Sequence, residues 1–184
     1  EYTLVSVADY LLSRAYNEAL NTGKSIDEVT APYKLVTSSN LSSSRALRDV
    51  TEQYGGEYST AAVGEVNVTT KMRACGAIIG GEGNGGVIYP ALHYGRDAMV
   101  GVALFLTNLA YKKMKVSELR ATYPEYVIAK NKIELSDSAL IDKILTEIKD
   151  VYASEDINTI DGVKISFEAR KEWVHLRRSN TEPI

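Results

Sequence analysis

Stretches of helical apolar spacing alternate with short β-prone runs over the first 115 positions of this chain, and that alternation admits few folds. Leu4, Val7, Ala8, Leu11, Leu12, Ala15 and Ala19 recur three and four positions apart, which predicts a helix over roughly 3–20. Asn21-Thr22-Gly23 reads as its stop. Tyr33-Lys34-Leu35-Val36-Thr37 is a β-prone run, and Ser42, Ser43 and Ser44 offer caps for a second helix carrying Ala46, Leu47 and Val50. A strand over 58–62, a helix over 65–73 and a buried strand in Gly76-Ala77-Ile78-Ile79-Gly80 follow. Val87-Ile88-Tyr89 is β-like, and Asp97 is a candidate cap for a helix to about Lys115. That helix is apolar nearly all round from Val100 to Ala110, so it is expected to be central and buried. The pattern predicts an α/β fold: a layered α/β domain with a mixed sheet over residues 1–115.

Residues 116–125 read as a connection closed by Tyr123-Pro124, and the order then changes. A strand near 126–133 and a helix carrying Leu140, Ile141, Ile144, Leu145 and Ile148 come next, the helix capped by Ser136 or Asp137. Asp161-Gly162 between alternating runs signals a hairpin, and Trp173, Val174 and Leu176 suggest a last strand. Residues 126–184 are therefore expected to form a small α+β domain, too small to stand firmly alone.

Composition excludes several classes. Of 184 residues 45% are hydrophobic and 24% charged, the usage of a folded globular chain. With 21 basic and 24 acidic residues the formal charge is −3, so no global field draws the chain to nucleic acid or to an anionic membrane. No apolar run approaches the length of a membrane span. The single cysteine, Cys75, excludes an internal disulfide, and a reducing cytoplasm is the expected location. The chain opens Glu1-Tyr2-Thr3, with neither a signal peptide pattern nor a Met, as a cut-out or processed piece would.

Seven of the 13 glycines fall between Gly76 and Gly95. Glycine lets backbone approach a ligand closely, although a wide turn between strands uses it too. Gly81, Gly83 and Gly86 formally satisfy the dinucleotide fingerprint. That motif must open a helix, whereas here it runs into Val87-Ile88-Tyr89-Pro90, and Glu82 would repel a pyrophosphate. A carboxylate suits a neutral polyol better, because it accepts from two neighbouring hydroxyls while Asn84 both donates and accepts. At the other end, Arg177-Arg178-Ser179-Asn180-Thr181-Glu182-Pro183 combines guanidinium, hydroxyls and an amide, the parts of a phosphate cradle. A solvated basic tail is the plainer reading of the same residues. His93 and Arg96 are candidate edges of a ligand cleft or simple loop-surface residues.

Taken together, the two loops are similar to the sugar-binding and phosphate-binding loops of the α-D-phosphohexomutase family, in the family's order. Val63-Gly64-Glu65-Val66-Asn67-Val68 resembles a third family segment. The resemblance runs through essentially the whole chain and is nearest to the phosphoglucomutase/phosphomannomutase and phosphoglucosamine mutase subgroups. It implies a four-domain enzyme that moves a phosphoryl group between the 1- and 6-positions of a hexose phosphate through a phosphoserine and a bisphosphorylated intermediate. The first domain of such enzymes carries the phosphoserine, the second binds Mg²⁺ in a D-x-D-x-D loop, the third reads sugar hydroxyls and the fourth grips phosphate. This chain matches the third and fourth only, having neither D-x-D nor a Ser-His-Asn-Pro segment, so its partners would be the N-terminal domains of the same protein and a hexose phosphate. By the resemblance, the loop Gly81, Glu82, Gly83, Asn84 and Gly85 would bind the sugar, and Arg177, Ser179, Asn180 and Thr181 the non-reacting phosphate. Some members have His where Glu65 stands and many have Ser where Asn84 stands, which leaves the sugar open among glucose, mannose and glucosamine. The alternative is a non-catalytic binding module, with the glycine loop a structural turn and the basic end a docking tail.

Overall fold

A computed structural model describes residues 1–133 and 138–178. The chain divides into two compact units, Glu1–Val127 and Ile128–Ile184.

The first unit is an α/β sandwich built on a four-stranded sheet of order β2-β1-β3-β4. Its strands are β1 (Lys34–Asn40), β2 (Glu57–Ala61), β3 (Ala77–Gly81) and β4 (Val87–Ile88). β1 pairs in parallel with both β2 and β3, and β4 runs antiparallel along β3, so the sheet is mixed as expected. Helices cover both faces. On one side α1 (Tyr2–Thr22), α3 (Ala46–Gln53) and α5 (Ala98–Lys112) bury Leu4, Val7, Leu12, Leu47 and Val50 against Leu35, Ile79 and Val87. On the other, α4 (Glu65–Cys75) sets Val68 and Met72 on Val36, Ala61, Ala77 and Ile88. Adjacent strand residues such as Leu35 and Val36, or Val87 and Ile88, thus serve opposite cores, the two-residue period of a strand. Gly80 is required by this packing: a Cβ there would lie 2.6 Å from the Met72 sulfur and 2.6 Å from the Ser38 carbonyl oxygen.

Four expectations need correction. β1 continues past Thr37 to Asn40, and Ser38, Ser39 and Asn40 are buried although polar. Residues 116–125 are not a bare connection: α6 (Val116–Ala121) occupies them, and Leu119 and Tyr123 belong to the first core. No strand forms over 126–133 among the described residues. α5 is not buried all round, since Met99 is 78% exposed and Val102 and Leu106 more than half. An all-apolar surface carries no moment to say which side faces inward. The inward side is set by Gly101, where an added Cβ would sit 3.2 Å from Val87, and by the fully buried Asn108. A short helix not foreseen, α2 (Ile26–Thr30), is closed by a Ser25–Glu28 capping box.

The second unit carries α7 (Ser138–Val151) and an antiparallel sheet of order β5-β6-β7: β5 (Asp156–Asn158), β6 (Val163–Phe167) and β7 (Glu172–Leu176). The hairpin expected at Asp161-Gly162 joins β5 to β6, with Gly162 at φ 72°. An added Cβ there would meet the Leu176 carbonyl oxygen at 2.2 Å. Val163 and Ile165 are its buried apolar residues, and Tyr152 meets Phe167 edge to face. The caps expected at Ser136 or Asp137 lie outside the described residues.

Candidate functional site

In a parallel sheet every strand delivers its following loop to the same edge, which is where α/β proteins bind ligands. Here Asn40 aligns with Ala61, and Ser39 with Gly81. The loops after β1, β2 and β3 therefore emerge together, and they converge on one side chain, Glu82.

Glu82 is only 5% exposed. Its Oε1 accepts from Asn40 Nδ2 at 2.8 Å and from the backbone N–H of Gly64 at 3.3 Å. Its Oε2 lies 3.5 Å from an Arg96 terminal nitrogen. A buried carboxylate without such donors would be costly, so these contacts are what allow it to sit at the sheet edge.

The glycine loop is a tight return between β3 and β4. Glu82 N donates to Gly86 O at 3.1 Å and Gly85 N to Glu82 O at 3.0 Å. A Cβ on Gly81 would stand 1.9 Å from Gly86 O, and one on Gly83 would press on Ser43 at 3.1 Å. Gly85 has φ 102° and open space around it. Asn84 is exposed at the tip, its Oδ1 accepting from Gly86 N at 3.2 Å. The loop thus carries a buried, anchored carboxylate and, two positions on, an exposed amide bonded to the loop's own backbone.

Arg96 borders the loop. Glu65, the first residue of α4, accepts from Arg96 backbone N at 3.1 Å and from Nε at 2.7 Å. The backbone bond first, then the side-chain one, holds the Glu65 carboxyl below its usual range, and the side-chain bond to Glu65 holds the guanidinium above its own. The Arg96 stem lies on Gly86, where an added Cβ would come within 2.5 Å of it. His93 lies near this group, a Cβ on Gly95 meeting His93 Nδ1 at 3.2 Å and Glu65 Oε1 at 3.8 Å. It is exposed and bonds Asp97 at 3.0 Å, while Asp97 caps α5 by accepting from Val100 N. That backbone bond, then His93, lowers the Asp97 pKa. Of the two candidate cleft edges, Arg96 adjoins the loop and His93 braces a helix start.

Sequence reasoning missed Asn40, Ser43 and the Gly64 N–H as parts of this constellation. An Asn, a Leu and then three serines read as loop and cap, and only the parallel register brings Asn40 to Glu82. The segment Val63-Gly64-Glu65 was legible as a motif, although not as the clamp on Arg96.

In the second unit Arg177 is exposed and donates to the Arg178 carbonyl at 3.1 Å. Arg178 pairs with Asp142 of α7 at 2.8 Å. Ser179, Asn180 and Thr181 lie outside the described residues. Among the described residues no three His, Cys, Asp or Glu side chains gather to hold a metal. Among the described residues no such group stands to hold the Mg²⁺ implied by the family resemblance, and it enters no step below. No helix among them is long and apolar enough to cross a membrane.

The fold and the sheet-edge loop define an α/β/α domain of the phosphohexose mutase type. Residues 3–126 match the model for phosphoglucomutase/phosphomannomutase, alpha/beta/alpha domain III, and the chain belongs to that family. It is 33% identical over 162 residues to a phosphoglucosamine/phosphogalactosamine mutase of Sulfurisphaera tokodaii, covering 87% of this chain and 35% of that protein. It is 35% identical over 148 residues to a phosphoglucomutase/phosphomannomutase of Thermococcus kodakarensis, covering 78% and 31%. A crystal structure of a phosphoglucomutase/phosphomannomutase family protein from Burkholderia thailandensis shares the fold, with a TM-score of 0.63, 21% identity, and coverage of 96% of this chain and 35% of that one. The chain spans about a third of the length of the curated relatives it matches.

Proposed function

We propose that this chain is the sugar-reading and phosphate-gripping part of a phosphohexose mutase acting between the 1- and 6-phosphates of glucose, mannose or glucosamine. Glu82 accepts hydrogen bonds from vicinal ring hydroxyls and Asn84 supplies a donor and an acceptor beside it. Arg177, with Ser179, Asn180 and Thr181, holds the phosphate that does not react. The observation that carries this reading is the buried Glu82 carboxylate, anchored through Oε1 and set next to the exposed Asn84. A turn made only to join two strands needs no buried charge.

In the intact enzyme a phosphoserine on another domain would give its phosphoryl group to the sugar, and the opposite phosphate would return to serine. The sugar must then be accepted in two orientations. Carboxylate and amide groups that bind hydroxyl pairs suit that demand, and grip on the distant phosphate aligns the reacting end. Residues 1–184 supply neither nucleophile nor metal and turn over no substrate by themselves.

Titration calorimetry of the chain with glucose 6-phosphate and glucosamine 6-phosphate tests the reading. Glu82→Gln and Arg177→Ala are each expected to weaken binding about tenfold or more, the loss of one hydrogen bond to a charged group. Unchanged affinity in both variants overturns it, as does mutase turnover by the 184-residue chain free of contaminating enzyme.

A further inference from the structure

We infer that Asn40 is the positioning residue that fixes which oxygen of Glu82 meets the ligand. The inference rests on the sugar-binding role of Glu82 proposed above and deepens it.

The geometry of the Asn40 amide is determined from both ends. Its Oδ1 accepts from Ser42 N at 3.1 Å and from Ser43 Oγ at 3.0 Å. Two donors on the oxygen leave only one placement for the NH₂ group, facing Glu82. Asn40 is itself 5% exposed, the last residue of the central strand β1, in register with Ala61 on β2. The amide is thus rooted in the buried end of the central strand, and its orientation is passed across the 2.8 Å bond to Glu82 Oε1.

The two carboxylate oxygens are therefore unlike. Oε1 is taken by Asn40 and by the Gly64 N–H. Oε2 has one neighbour, Arg96, at 3.5 Å, longer than an ordinary N–H···O bond. Oε1 is the anchored oxygen and Oε2 the one with lone pairs to give. The charged groups facing this carboxylate are Arg96 and, behind it, Glu65, which draws Arg96 Nε to itself at 2.7 Å. That pull keeps Arg96 from closing on Oε2. Asn40 contributes no charge, so it anchors Glu82 without neutralising it. A lysine or arginine in its place would hold the carboxylate more tightly and compete with a polyol.

The test is glucose 6-phosphate titration of the 184-residue chain between pH 6 and 8.5, each variant compared with the unsubstituted chain at the same pH. Asn40→Asp keeps shape and sets two carboxyls at hydrogen-bond distance, which then share a proton. Affinity is expected to fall about tenfold at the alkaline end and to recover towards pH 6, where a protonated carboxyl at position 40 again donates to Oε1. Asn40→Ala is expected to weaken binding at every pH, so that lost packing and lost donation separate. Ser43→Ala leaves the backbone and Asn40 in place and removes one of the two donors that fix the amide, the Ser42 N–H remaining; about a threefold loss is expected, and it serves if Asn40→Asp does not fold. Glu82→Gln runs alongside. If it loses affinity while Asn40→Asp and Ser43→Ala bind like the unsubstituted chain across the range, the positioning role is overturned alone. If Asn40→Asp does not fold, unchanged binding by Ser43→Ala overturns it. If Glu82→Gln binds normally, the sugar role falls and the positioning role with it.

Discussion

Tyr123 donates its hydroxyl to Asp9 at 2.7 Å, joining the segment after α6 to the middle of α1, 114 positions away. Asp9 is 3% exposed and also receives Tyr54 at 2.7 Å and the ammonium of Lys112. Burial, then the bond to this carboxylate, pushes both tyrosine pKa values upward. Asn108 closes the group, donating to Ser6 O at 2.9 Å. Four helical segments are tied to one carboxylate. Tyr123→Phe is expected to cost about 1–2 kcal/mol, since Tyr54, Lys112 and the Asn108 amide still donate to Asp9. Asp9→Leu is expected to cost about 3 kcal/mol by leaving the Lys112 charge and two hydroxyls around an apolar side chain. Urea unfolding measures both, and a loss under about 0.5 kcal/mol for Asp9→Leu would show the network to be ornamental.

Gly81 and Gly85 lie in the same loop with different reasons to be glycine. A methyl at Gly81 meets a backbone oxygen at 1.9 Å, whereas at Gly85 the cost is only a φ of 102°. Gly81→Ala is expected to destabilise by about 3 kcal/mol and to broaden the amide resonances of residues 82–86, while Gly85→Ala costs about 1 kcal/mol. Denaturation of both variants with amide spectra checks this. The reverse order would contradict the described loop.

Asp97 is the one side chain capping α5, through Val100 N at 3.0 Å. Asp97→Ala is expected to lower stability by about 1 kcal/mol, and Asp97→Asn or Asp97→Ser by less, because both keep an acceptor. Thermal melts of the three variants decide it.

His175 on β7 donates from Nε2 to the Asp161 carbonyl at 2.6 Å, across the hairpin from Gly162. Burial, the largest influence, lowers its pKa. A histidine harder to protonate when folded contributes stability that is intact above its unfolded value, about 6.5. That contribution is lost as pH falls through the lower folded value. The hairpin is thus expected to weaken on acidification below about pH 6.5, with His175→Gln removing that part of the pH dependence. Proton NMR of the imidazole reads the midpoint directly. A folded midpoint above 6.5 would reverse the sign and refute the expectation.

Much of the architecture was legible because its signals are local. The spacing of Leu4, Val7, Leu12 and Ala15, the cap at Asp97 and the Asp161-Gly162 turn each act within a few residues. What was illegible depends on contact between distant segments. Ser38, Ser39 and Asn40 look like a loop by hydropathy, yet they continue β1 because Ser38 and Ser39 pair with both β2 and β3 and Asn40 with Ala61 of β2. Leu119 and Tyr123 look like a connection because Asp9 lies more than a hundred positions earlier. At the candidate site the glycines, Glu82 and Asn84 could be read from their own chemistry. Asn40 could not, since its role exists only once β1 and β3 lie in register.

The ends of β1, β2 and β3 are aligned, so the residues gathered around Glu82 belong largely to three short loops, 41–45, 62–64 and 82–86, mounted on a common frame. On the proposed reading, ligand preference in such a scaffold would be retuned by exchanging residues of these loops other than the glycines, while the strands beneath are left alone. The exception is position 40, which belongs to the frame and would constrain every such exchange.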